Sequence, residues 1–192
     1  MHAFDYVMTL MSFVYALAIA HLLATVGDII GAWSRIRFSW LNAAWMMFAF
    51  LGVLVWWLGM WGTHDLKVWS VEPVAIFFLL AANLYLVTRL VCARIPHEGP
   101  VDLAAFHNLE GRKYMAAFAV LTGFTAMVNV FYFGHGRISD LATSSVIRVV
   151  LIQCFASVVG AYFRDKRVQV GVALIVGGAW AWYLLTMQGA IT

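Results

Sequence analysis

The sequence predicts an all-α protein, a polytopic bundle of six membrane-spanning helices with both termini outside. Three observations lead there. Of 192 residues, 64% are hydrophobic and 11% charged, and the mean hydropathy is +0.88, whereas charged residues make up about a quarter of a soluble domain. The apolar residues gather into six stretches of about 20, the length that a hydrocarbon core of about 30 Å requires. Lys and Arg crowd into alternate connections between those stretches, as cytoplasmic loops do. Six spans nearly exhaust the chain, so 1–192 is expected to be one transmembrane domain.

The first span, 4–30, is apolar yet carries Asp5, His21 and Asp28. At 100° per residue His21, Thr25 and Asp28 share one stripe. Beside it runs a stripe of small residues, Ala16, Ala20, Ala24, Gly27 and Gly31. Small residues at this spacing let another helix approach closely, so this face is expected to pack. No Lys or Arg precedes the apolar run and Asp5 is acidic, so the segment is expected to be retained rather than cleaved as a signal peptide.

The second span, 40–61, follows the basic turn Ser34-Arg35-Ile36-Arg37, and the third, 71–91, tolerates Pro73 because its first turn has no amide partner to lose. A cytoplasmic loop, 94–112, comes next, with its middle, 101–109, read as a short interfacial helix dipping Leu103, Phe106 and Leu109 toward lipid. The fourth span, 114–133, ends at the Gly-flanked loop Gly134-His135-Gly136-Arg137. The fifth, 144–163, meets the sixth, 168–187, through Arg164-Asp165-Lys166-Arg167.

Eight basic residues (Arg35, Arg37, Arg94, Arg112, Lys113, Arg164, Lys166, Arg167) fall on one side of this topology, while the loops on the other hold only Lys67 and Arg137. The first side is therefore assigned to the cytoplasm. Trp33 and Trp40 mark its interface and Trp61 and Trp69 the opposite one; Trp56, Trp57, Trp180 and Trp182 lie deeper. Three spans on either side of the 94–112 loop also permit an inverted repeat, although proline-free spans after Pro73 speak against broken helices.

Depth along these helices pairs Asp28 with Arg89 near the inner surface and Asp5 with Arg148 near the outer one. Asn83, Asn129, Gln153 and Tyr15 lie between, and these groups with His21 form the candidate proton or ion path. An imidazole titrates near neutral pH, which Lys and Arg do not. The plainer reading is that the charges face headgroup water and the amides bond between helices.

The net charge of +3 comes from loop residues, which gives no reason to expect nucleic acid. Cys92 and Cys154 suit neither a disulfide framework nor a metal site. His97, Glu98, Asp102, His107 and Glu110 in the long loop match no ligand spacing, so neither metal nor cofactor is expected. Phosphate loops, Gly-x-Ser-x-Gly and paired-histidine motifs are missing, and Asp140 with Ser144 and Ser145 reads as a helix cap. The expectation is a non-enzyme whose partners are membrane lipid and either copies of itself or a larger membrane complex.

The opening Phe4-Asp5-Tyr6-Val7, then Ser12 and Ala18-Ile19-Ala20-His21-Leu22-Leu23, resembles the start of small uncharacterised six-span bacterial membrane proteins. That resemblance implies the bacterial cytoplasmic (inner) membrane and brings no activity. Phe13, Ala16, Leu17, Ala18, Ile19, Ala20, Leu22 and Leu23 are also similar to the pore helix of lysosomal-type potassium channels. Val14-Tyr15 stands here where those channels have Ser-Asp, no early Arg is present, and the predicted orientation is reversed. Two functions follow: a channel or transporter for protons or small ions with its path beside the first helix, or an accessory subunit of a larger complex.

Overall fold

The computed structural model describes residues 3–64, 69–133 and 144–187. Lys67, Arg137, His2, His135 and Asp140 lie outside them. Six helices are long and apolar enough to cross a membrane: α1 (Ala3–Gly31), α2 (Trp40–Gly59), α3 (Val71–Val91), α4 (Leu103–Val128), α5 (Ser145–Tyr162) and α6 (Lys166–Met187). A 3-10 turn, Met60–Thr63, extends α2. A π-type turn, Asn129–Phe133, extends α4, with Asn129 Nδ2 donating to Thr125 O at 2.9 Å.

The chain divides into two compact units, 1–106 and 107–192. In the first, Trp57 Nε1 late in α2 donates to Ser12 Oγ early in α1 (3.3 Å), and Asn42 Nδ2 early in α2 donates to Val91 O at the end of α3 (3.1 Å). Thus α2 runs antiparallel to both neighbours and α1 runs parallel to α3. Ser39 Oγ caps α2 by accepting from Asn42 N, and Phe4 packs its ring among Trp61, His64 and Trp69.

The buried face of α1 is the stripe Met11, Tyr15, Ala18, Leu22, Thr25 and Ile29. These recur at alternating steps of three and four, the seam geometry that keeps one face on a neighbouring helix. The small stripe does otherwise. Ala16, Ala20, Ala24, Gly27 and Gly31 are exposed, and a Cβ added at Gly27 or Gly31 would meet nothing within 4 Å. Larger side chains fill more of the gap between helices than alanine or glycine, and they have taken the contact within the chain.

The 94–112 stretch differs from its expectation. Helix α4 begins at Leu103, eleven residues before the expected start of the fourth span, and absorbs most of the loop. Asp102 starts it: Oδ1 accepts from Ala104 N at 2.8 Å and Ala105 N at 2.9 Å, the capping role of a carboxylate before a helix. Leu103 is buried rather than dipped outward, while Leu109 is 74% exposed.

What remains of the loop is clasped to the turn before α2. Two residues, β1 (Ile36–Arg37), pair in parallel with β2 (Val101–Asp102). The Arg37 guanidinium meets Asp102 Oδ2 at 3.0 Å, and Arg35 donates to Pro96 O and Gly99 O at 3.3 and 2.7 Å. Gly99 takes φ +85°, a left-handed turn that favours glycine.

The Ala105 amide holds the Asp102 carboxyl below its usual range; desolvation opposes it, and the Ala104 amide and the Arg37 guanidinium add to the lowering. A carboxylate with a folded pKa below its unfolded one stabilises the fold above the unfolded value, and this stabilisation is lost as pH falls through the folded value. The melting temperature should therefore drop as pH goes below about 4, the ordinary aspartate value. In Asp102→Asn, which keeps the cap and removes the charge, that part of the acid dependence should vanish.

In the second unit α4, α5 and α6 pack through close approaches. A Cβ on Gly160 of α5 would lie 2.9 Å from Met115 Sδ on α4 and 3.1 Å from Val172 Cγ1 on α6. Arg112 Nε donates to Ala161 O at 2.7 Å. Gln169 Nε2 donates to Gly160 O and Phe163 O at 2.7 and 2.5 Å, filling carbonyls that the end of α5 leaves unpaired.

Candidate functional site

The polar groups of the first unit converge where α1 passes α3. His21 is half-buried, its carbonyl accepts from Thr25 Oγ1 at 3.0 Å, and its Nε2 lies 3.3 Å from Arg89 Nη1. A guanidinium only donates. Nε2 is therefore the acceptor, the ring proton sits on Nδ1, and the imidazole is in its neutral form. Buried Cys92, a free thiol, lies beside Thr25.

Arg89 meets His21 rather than Asp28, and no ion pair joins Arg89 to Asp28. Because α1 and α3 run parallel and Cys92 lies beside Thr25, Arg89, three residues before Cys92, stands near the level of His21, and its side chain meets the histidine there. Asp28 is left exposed.

The other expected path residues are placed as follows. Asn83 on α3 is half-buried and its Oδ1 has no hydrogen-bond partner. Asp5 is exposed at the start of α1, and its carbonyl accepts from Thr9 Oγ1 at 2.7 Å. In the second unit the Arg148 guanidinium lies 5.9 Å from the centroid of the Trp182 ring, a cation–π contact. Asn129 bonds its own helix rather than a neighbour. Gln153 is 1% exposed, with no acceptor for its Nε2. Asp5 and Arg148 belong to different units.

A second cluster was missed by the sequence reading, which put His107 in a solvated loop. His107 is buried, and its Nδ1 makes a very short contact with the Tyr114 hydroxyl. Gly111 lies one turn from each, and a Cβ there would make ordinary contacts, 3.5 Å from the Tyr114 hydroxyl and 3.6 Å from His107 Nδ1. The Gln169 amide reaches toward the same imidazole, but its Oε1 falls outside ordinary hydrogen-bond geometry. The available signal was the seven-residue spacing of His107 and Tyr114, which puts both on one helix face once α4 is allowed to start early. Among the described residues, no three His, Cys, Asp or Glu side chains gather as metal ligands.

No family model, curated protein or solved structure matches the chain.

Proposed function

We propose that the chain is a multi-pass protein of the bacterial cytoplasmic membrane, with both termini outside, that moves protons or small ions along a path beside α1. Membrane residence is supported by the outward faces of the helices. Phe13, Leu17, Phe155, Leu174 and Leu185 are each more than half exposed, a distribution that water penalises and lipid does not. Orientation rests on the basic connections around Arg35, Arg94 and Arg164.

The observation that carries the path is the contact between His21 Nε2 and Arg89. Arg89 holds the ring neutral with Nε2 as the nitrogen that takes a proton. When it does, two cations stand together, and at about 4 Å and an effective dielectric of about 20 they repel by about 4 kcal/mol. The contact breaks, and the guanidinium moves toward the exposed Asp28. His21 is the proton carrier, Asp28 the inner carboxylate, and Asn83 and Asp5 the other polar groups of the first unit along the path. Flux through reconstituted vesicles is expected to collapse in His21→Ala and Asp28→Asn while both variants keep wild-type helix content. Undiminished flux in both would end this reading.

A second reading has its own observation. The exposed stripe Ala16, Ala20, Ala24, Gly27 and Gly31 is shaped for a helix that the described residues of the first unit do not supply, as in a homo-oligomer or an accessory subunit of a membrane complex.

A further inference from the structure

Halfway along α5, polar side chains sit where only apolar ones are needed for packing. Gln153 is the ninth of its 18 residues. It is 1% exposed, Ser157 one turn on is fully buried, and neither Gln153 Nε2 nor Ser157 Oγ has a partner. Both lie on the helix face that continues to Gly160, and Gly160 touches α4 at Met115 and α6 at Val172. That face therefore looks into the interior of the second unit.

A third unpartnered donor stands at the same level. The short connection 163–165 makes α5 and α6 antiparallel, and Gly160 opposite Val172 fixes their register. Seven residues back along α5 is Gln153, about 10 Å away; eight residues forward along α6 is Trp180, about 12 Å away. Trp180 is 6% exposed, and its Nε1 has no acceptor. Cys154 Sγ on α5 donates to Ala119 O on α4 at 3.4 Å, which brings buried Thr122 of α4 to this level. The Thr122 proton goes to Phe118 O at 2.9 Å, so its oxygen keeps lone pairs free to accept.

We infer that the second unit holds a water-binding site at mid-depth between α4, α5 and α6, bounded by Gln153, Ser157, Trp180 and Thr122. Two N–H donors, one hydroxyl and one accepting hydroxyl need a guest that accepts and donates at once, which is the chemistry of water. Three unpartnered donors in an apolar interior are costly if dry and ordinary if hydrated. The site stands apart from the His21–Arg89 contact, and it holds whether or not the chain moves protons.

Infrared spectra of the full chain in lipid nanodiscs, recorded in ordinary and ¹⁸O-labelled water, test it. A sharp O–H stretching band of buried water should shift with ¹⁸O and be lost in Gln153→Leu and Ser157→Ala. The indole Raman band of Trp180, isolated by difference from Trp180→Phe, should report a hydrogen-bonded N–H that becomes free in Gln153→Leu. A wild-type spectrum with no such ¹⁸O-sensitive band overturns the inference however the variants fold. So does a free indole N–H combined with higher melting temperatures in Gln153→Leu and Ser157→Ala, the mark of a dry site relieved of polar groups.

Discussion

Replacing Gly160 with leucine is expected to destabilise the second unit by about 3 kcal/mol, the upper part of the usual range for overpacking. The first added carbon already meets Met115 Sδ at 2.9 Å and Val172 Cγ1 at 3.1 Å. Methionine can swing its thioether aside, but a β-branched valine in a helix has essentially one rotamer. Alanine is thus tolerated at modest cost, while leucine must push α6 away from α5. Separation also breaks the bond from Gln169 Nε2 to Gly160 O. Reversible unfolding in bicelles would read this, with Gly123→Ala as the control, since its Cβ would meet only Cys154 Sγ at an ordinary 3.4 Å. Wild-type stability in Gly160→Leu would mean that the α5–α6 approach is looser than described.

Removing Arg89 is the second large effect. The guanidinium fixes the His21 tautomer and drives the proton off again, so Arg89→Ala and His21→Ala should each cut proton flux by about 10²-fold, the lower end of what a positioned acid or base supplies. The two act as one unit, and the double variant should therefore lose no more than either single one. Arg89→Lys, which keeps a donor and a charge, should restore part of the flux. Multiplied losses in the double variant would show that the residues work separately.

The helices themselves were legible in the sequence because hydrocarbon-length apolar runs leave few alternatives: α3 covers the expected 71–91, and the ends of α1, α2 and α6 fall within two residues of expectation. The start of α4 was not legible. Pro96, Pro100 and charged residues argue for a loop, and it takes the pairing of Arg37 with Asp102 across 65 positions to seat the cap that begins the helix early. Polar positions on α1 and α3 were found from periodicity, but not who meets whom. Depth estimated from rise alone does not fix the register between two helices or the face a side chain takes: Asp28 is exposed, and Arg89 meets His21 instead. The small stripe shows the same limit: spacing says that a face can receive a helix, and only packing says whether the chain provides one.

The proposed orientation of the six helices, with the basic connections inside, is read most directly by thiol labelling. In cells expressing a variant with Cys92 and Cys154 replaced, a single cysteine placed at exposed Glu98, in the connection between α3 and α4, should resist a membrane-impermeant thiol reagent until the cells are opened. Labelling of that cysteine in intact cells would contradict the orientation and, with it, the placement of the His21–Arg89 contact toward the cytoplasm.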